Sequence, residues 1–117
     1  MSYLFILNDP PYGTERTYNG LRLALNLVSK HEGVRVAVFL MGDAPLAGKA
    51  GQKTPNGYYN LERMLKAIAA RGGEVLACGT CMEARGLAAE ELTEGCTKST
   101  LDELGRRTVA ADRILVF

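Results

Sequence analysis

Short apolar runs alternating with longer amphipathic stretches leave this chain few folds to choose from. Tyr3-Leu4-Phe5-Ile6-Leu7 is almost unbroken in its apolarity, the pattern of a strand covered on both faces. Val34 to Met41 is a second run, β-branched at its start and closed by Gly42-Asp43. Glu74-Val75-Leu76-Ala77-Cys78 is a third, ending in the turn Gly79-Thr80, and Arg113 to Phe117 is the last. Helical patterns fill the intervals. Tyr18, Leu21, Leu25 and Val28 recur at three- and four-residue steps, with Ala24 and Leu27 widening the stripe. Thr14 is the expected N-cap, Glu15 suits the first turn and Gly33 the stop. Leu61, Met64, Leu65 and Ile68 share one face of a second helix, which Gly72-Gly73 ends. Cys81 to about Glu91 reads as a short third helix, with Gly95 as its break. Ser99 and Thr100 precede Asp102 and Glu103 in overlapping capping-box patterns. They open a fourth helix marked by Leu101, Leu104 and Thr108. A short strand between the third and fourth helices is an open question at this level.

Strands alternating with amphipathic helices imply an α/β fold: a mostly parallel sheet with helices on both faces, joined by right-handed crossovers. With 117 residues and no internal repeat, the chain reads as one domain over 1–117. Ligands of such sheets sit beyond the carboxyl ends of the strands. The 8–14 loop, the 42–57 loop and the 78–81 turn should gather there. The second of these holds Pro45, Gly48, Gly51, Pro55 and Gly57 together with Lys49 and Lys53, and has no apolar period. It is expected to be a mobile loop able to shield a site. The first has one glycine and two prolines that remove amide donors, so it matches neither a phosphate-binding loop nor a dinucleotide fingerprint. No cofactor is expected.

Charge excludes more than it suggests. Fourteen basic and 13 acidic residues give a net charge of +1, with no basic run. A polyanion surface needs a concentrated cationic excess, so direct nucleic-acid binding is not expected. No stretch approaches the about 18 apolar residues of a membrane span. The first residues carry no basic region before their apolar run, which meets Asn8-Asp9-Pro10-Pro11, so they read as a strand rather than a signal peptide. The expected compartment is the cytoplasm, where thiols stay reduced.

Cys78-Gly79-Thr80-Cys81 carries the richest chemistry. Cys78 closes a strand and Cys81 opens a helix, where unpaired amides favour a thiolate over a thiol. Gly79 would let those donors approach the sulfur, and Arg85 would add positive charge. Buried cysteines are common core residues, so spacing alone leaves Cys78 open as either a reactive or a packing thiol. Cys96 has no comparable setting and reads as packing. A thioredoxin-like dithiol is a rival reading, but no Trp precedes the motif and it follows the third strand. Zinc would need four ligands, and three cysteines with His31 alone make a poor set, so no metal is expected. His31, beside Lys30 and Glu32, reads as an exposed capping residue. Asp9, Glu15, Arg16 and Arg22 receive no role.

The segment Ala77-Cys78-Gly79-Thr80-Cys81-Met82-Glu83-Ala84-Arg85-Gly86 resembles the cysteine motif of the DsrE/DsrF-like sulfur-relay family. The final Ala111-Asp112-Arg113-Ile114-Leu115-Val116-Phe117 strand and the Asn60-Leu61 helix opening are similar to that family too. The resemblance implies a flavodoxin-like three-layer sandwich with a five-stranded sheet. It implies assembly as a homotrimer or homohexamer, and sulfur donor and acceptor proteins as partners. It implies a persulfide on Cys78, with Gly79, Thr80 and Arg85 serving the bound sulfur. Cys81 departs from relay members that have one cysteine here; it would either resolve a Cys78 persulfide or cap the helix. The competing expectation is a non-catalytic oligomeric subunit of the same fold that binds a ligand or partner, with Tyr58, Tyr59 and the 81–92 region as its contact surface.

Overall fold

Five strands form one sheet: β1 (Ser2–Leu7), β2 (Arg35–Leu40), β3 (Glu74–Cys78), β4 (Cys96–Ser99) and β5 (Arg113–Val116). Their order is β4-β3-β2-β1-β5 and every pairing is parallel. The helices are α1 (Arg16–Lys30), α2 (Leu61–Ala70), α3 (Gly79–Ala84) and α4 (Leu101–Ala110), with 3₁₀ turns at Ala44–Gly48 and Ala89–Glu91. The computed structural model describes residues 1–56 and 58–117; Gly57, read above as part of the long loop, lies outside the described residues.

Topology decides which face each helix covers. From β1 to β4 the chain steps in one direction across the sheet, and only the connection from β4 to β5 steps back. Right-handed crossovers therefore put α1 and α2 on one face and α4 alone on the other. Side chains sort accordingly. Phe5, Leu7, Val38, Leu40, Val75 and Ala77 meet Leu21, Ala24, Leu61, Leu65 and Ile68 in the larger core. Leu4, Phe39, Leu76 and Cys78 meet Leu104 in the smaller one. One ten-residue helix cannot cover five strands. Ile114 and Val116 of the edge strand β5 stay exposed, as do Leu101 and Val109 of α4. The fold is thus the flavodoxin-like three-layer α/β sandwich that the resemblance implied, with a sheet that is wholly rather than mostly parallel. Among the described residues, no helix is long and apolar enough to cross a membrane.

Several local expectations are corrected. Thr14 does not cap α1: its hydroxyl donates to Asp9 Oδ2, Thr17 donates to the Asp9 carbonyl, and the helix starts behind Glu15 without a side-chain cap. The third helix runs over Gly79–Ala84 rather than from Cys81 to Glu91, because Gly86 (φ +66°) turns the chain away. The short strand left open is β4. Thr100, not Ser99, caps α4 by accepting from the Glu103 amide at 3.1 Å. Leu101 is exposed, so the buried stripe of α4 reduces to Leu104.

The expected mobile loop is pinned over its first part, residues 44–52. Ala44, Pro45, Ala47 and Gly48 are buried in the 3₁₀ turn against the larger core. The buried Glu62 carboxylate on α2 accepts from the Gly51 amide (3.0 Å), the Gln52 amide (2.9 Å) and the Thr93 hydroxyl (3.0 Å). It thereby ties three segments together.

Candidate functional site

The site stands at the carboxyl end of β3, where two connections part. The chain leaving β3 turns into α3, whose Met82 enters the larger core, while the chain leaving β4 turns into α4 on the opposite face. Such a divergence is where open α/β sheets place their ligands. Strand alternation points Cys78 toward the smaller core. Cys78 ends the strand and also N-caps α3: its Sγ accepts from the Cys81 amide at 3.3 Å. The Thr80 hydroxyl lies 3.3 Å from the same sulfur. Cys81, one turn on, places its Sγ 2.6 Å from Cys78 Sγ, and both cysteines are free. From the end of β2, the Gly42 amide donates to Cys81 Sγ at 3.3 Å.

These contacts divide the two thiols. Burial pushes the Cys78 pKa up, since the thiol is only 6% exposed. Hydrogen bonds from the Cys81 thiol, the Thr80 hydroxyl and the Cys81 and Thr80 amides outweigh burial and hold it below the ordinary thiol value. Cys81 moves the other way. Burial and its hydrogen bond to Cys78 raise its pKa, and the Gly42 amide and Arg85 offset only part of this. The contacts thus favour ionisation of Cys78 and disfavour that of Cys81.

The structure thus brings Cys78, Thr80, Cys81 and Arg85 together. Arg85 reaches across to the chain after β2: its Nε donates to Asp43 Oδ1 at 2.7 Å and its Nη1 to the Cys81 carbonyl at 3.0 Å. Much of its charge is spent on Asp43. Gly79 is needed for a reason other than the one expected. It gives no amide to the sulfur; a Cβ there would lie 2.8 Å from Lys98 Cε and 3.0 Å from the Ser99 carbonyl, so only glycine lets α3 start beside β4. Gly42 and Asp43 belong to the site and were missed. Gly42 has φ +61°, and a Cβ would come 3.0 Å from the Asn8 carbonyl oxygen. That conformation aims its amide at Cys81. The Gly-Asp pair at a strand end was visible in the sequence; its position beside the cysteine turn depends on β2 pairing with β3.

The other candidates lie elsewhere. Cys96 is buried behind Gly48, and burial pushes its pKa up to about 12, which fits packing. His31 is exposed at the C-cap of α1. Lys49 pairs with Glu91, and Lys53 lines a polar depression with Gln52 and Arg63; neither contacts the sulfurs. Asp9 is engaged by Thr14 and Arg16, and Arg22 lies over the Tyr18 ring. Tyr59 stacks on Tyr18, so of the two tyrosines expected at a contact surface only Tyr58 is freely exposed. A concavity of about 350 Å³ lies at the opposite, amino end of the sheet, and its Arg107 and Glu74 are paired with each other at 2.7 Å. Among the described residues, no group of His, Cys, Asp and Glu is arranged to hold a metal ion.

Residues 1–117 match the DsrE/DsrF-like family. The chain is 39% identical to Protein YchN of Escherichia coli (strain K12) over 114 residues, 97% of both chains. It is 37% identical to the uncharacterized protein MK0008 of Methanopyrus kandleri over 112 residues, 96% of this chain and 90% of the other. The crystal structure of the E. coli ychN protein superposes with a TM-score of 0.93 at 38% identity, covering 99% of this chain and 98% of that one. A protein of unknown function from Methanobacterium thermoautotrophicum, MTH1491, superposes at 0.78 with 17% identity over 99% and 97% of the two chains, a likeness of fold.

Proposed function

Because this chain belongs to the DsrE/DsrF-like family, we propose that it is a sulfur-relay protein that carries sulfane sulfur as a persulfide on Cys78. The observation that supports this most is the set of polar contacts converging on one sulfur, which favours ionisation of Cys78 over that of its neighbour. The thiolate attacks the outer sulfur of a donor persulfide, R–S–SH. The S–S bond of the donor breaks, R–S⁻ leaves, and Cys78–S–SH forms with the proton on its outer sulfur. An acceptor thiolate then takes that sulfur by the same displacement. Thr80 steadies the inner sulfur, and Arg85 fixes α3 against the end of β2. Donor and acceptor proteins, a homotrimeric or homohexameric assembly and a cytoplasmic setting belong to the same proposal. The exposed Ile114, Val116, Leu101 and Val109 supply apolar surface for assembly. The test is sulfur uptake from isotope-labelled glutathione persulfide, followed by donor consumption and mass spectrometry. Stoichiometric consumption of the donor that Cys78→Ser abolishes is expected. A wild-type protein that consumes no donor ends the relay reading.

A second reading rests on the near-complete burial of Cys78. In it the chain is a non-catalytic subunit that binds a ligand or partner, and the cysteine turn only packs. Cys78→Ser would then preserve both complex formation and the cellular phenotype. Loss of the phenotype with an intact complex rejects it.

A further inference from the structure

Resting on the persulfide reading above, we propose that Cys81 is a resolving thiol: it attacks the inner sulfur of the Cys78 persulfide, forms a Cys78–Cys81 disulfide and expels hydrosulfide. A carrier needs one sulfur, yet this fold builds a place for two. Cys78 is the N-cap of α3 and Cys81 its third residue, a spacing that puts both side chains on the same side of the first turn. The sulfurs touch, and Cys81 is held from both sides. The Gly42 amide reaches its Sγ from β2, and the Arg85 guanidinium, anchored on Asp43, reaches its carbonyl. A nucleophile fixed against its target reacts as an intramolecular partner, free of the entropy that a visiting thiol loses.

The proton follows the reaction. Before loading, the Cys81 thiol donates toward Cys78 Sγ, whose ionisation the surrounding donors favour. After loading, the outer sulfur of the persulfide releases its proton to solvent and carries the negative charge. The Cys81 proton moves to that sulfur, and the freed Cys81 thiolate keeps the Gly42 amide and Arg85 as its support. Its attack forms the bond between the two Sγ atoms and breaks the bond to the outer sulfur, which leaves as HS⁻ with the proton Cys81 gave up. The sulfane sulfur is reduced by two electrons and the two cysteine thiols are oxidised by two. Contact favours the inner sulfur as the point of attack, because Cys81 already lies against Cys78 Sγ, whereas the outer sulfur extends one bond beyond it. Without an acceptor, the protein discharges its sulfur as hydrosulfide and stops as the disulfide. An external dithiol such as dithiothreitol returns it to the start, and in its presence the protein turns over as a persulfide reductase.

The experiment uses full-length protein, reduced and then freed of small thiols, with glutathione persulfide as the probe. Hydrosulfide is measured, and the Cys78–Cys81 peptide is weighed without reduction. Wild-type protein is expected to release hydrosulfide stoichiometrically and to end two hydrogens lighter. Cys81→Ser is expected to retain the extra sulfur on Cys78 and to release hydrosulfide at least about tenfold more slowly. Wild-type protein that keeps the sulfur adduct overturns the inference without recourse to any variant. So does Cys81→Ser protein that releases hydrosulfide as fast as wild type. In both cases the carrier reading survives, because Cys78 was loaded. If neither protein takes up sulfur, the carrier reading falls and this inference with it.

Discussion

Replacing Glu62 asks whether the long segment after β2 is held by one buried carboxylate. Glu62 is 7% exposed. One oxygen accepts the Gly51 and Gln52 amides, and the other accepts the hydroxyl of the buried Thr93. Around this clasp the Thr93 amide donates to the Gly48 carbonyl at 2.7 Å, and the Ala50 amide to the Glu91 carbonyl at 2.8 Å. Hydrogen bonds to a charged group contribute about 1.5–3 kcal/mol each. Gly51 is exposed and Gln52 half-buried, so water replaces part of what the amides lose, whereas Thr93 has no such recourse. Lys66 at 3.4 Å is half-exposed and adds little. The sum for Glu62→Ala is a loss of about 3–5 kcal/mol, a large share of the ~5–15 kcal/mol of an ordinary domain. Glu62→Gln keeps the shape and loses the charge, costing about 1–2 kcal/mol. Acidity separates the two contributions. Burial works to raise the Glu62 pKa, but hydrogen bonds from Gln52, Thr93 and Lys66 hold it below its ordinary value in the fold. The charged clasp is therefore fully present above the ordinary carboxylate pKa and is lost as pH falls through the lower, folded value. Urea unfolding at neutral and acidic pH is the assay. The gap between wild type and Glu62→Gln is expected to shrink on acidification. A Glu62→Ala protein within about 1 kcal/mol of wild type at neutral pH refutes the clasp.

Other perturbations probe the site and its surroundings. In native protein, iodoacetamide should modify Cys78 first, at a pH below the ~8.5 of a free thiol, and should leave Cys96, whose pKa is about 12, until unfolding; peptide mapping that finds Cys96 modified as early as Cys78 contradicts this. Gly42→Ala forces an L residue into φ +61° with its Cβ 3.0 Å from a carbonyl oxygen, at a cost of about 1–2 kcal/mol or more. It also draws the amide from Cys81, so alkylation of Cys81 should shift to higher pH along with the loss of stability. Gly48→Ala drives a methyl to 2.8 Å from Cys96 Sγ and should cost about 1–3 kcal/mol. Adding Cys96→Ala removes the obstacle, so a double-mutant cycle by chemical denaturation should give a favourable coupling of about 1 kcal/mol; additivity would mean that the two positions do not meet.

What the sequence disclosed and what it hid follow from the range of the forces involved. The strands buried on both faces declared themselves, because Leu4, Phe5, Val38, Phe39, Val75 and Leu76 leave no polar residue to misread. The strand β4 did not: Cys96-Thr97-Lys98-Ser99 is short, largely polar and at an edge, and it exists because β3 offers it a ladder. The helix stripes were legible where a helix packs on the larger core and misleading in α4, where the cover is thin and Leu101 faces outward. The loop after β2 looked mobile because its order comes from Glu62, a residue that local pattern assigns to an exposed helix start. At the site, Cys78, Thr80, Cys81 and Arg85 lie in the one short segment 78–85 and were found together. Gly42 and Asp43 are about forty residues away and join only through strand pairing. The partner of Arg85 was hidden for the same reason.

The thin cover of the smaller core links the site to the rest of the surface. A sheet ordered β4-β3-β2-β1-β5 has a single backward step, so right-handed crossovers allow a single helix on that face. Cys78 points into that face, and Ile6, Met41 and Cys81 are its partly buried neighbours in the same cluster. Ile6 pairs in register with Val116, which is 61% exposed, and Leu4 with Ile114. The apolar side chains left bare by the missing helix thus run continuously from the outer edge of the sheet to the cluster around the sulfur. Val116 and Ile114 therefore lie beside Ile6 and Leu4 on the same face of the sheet into which Cys78 points. The bare sheet edge and the placement of the thiol under thin cover are therefore two consequences of the same strand order.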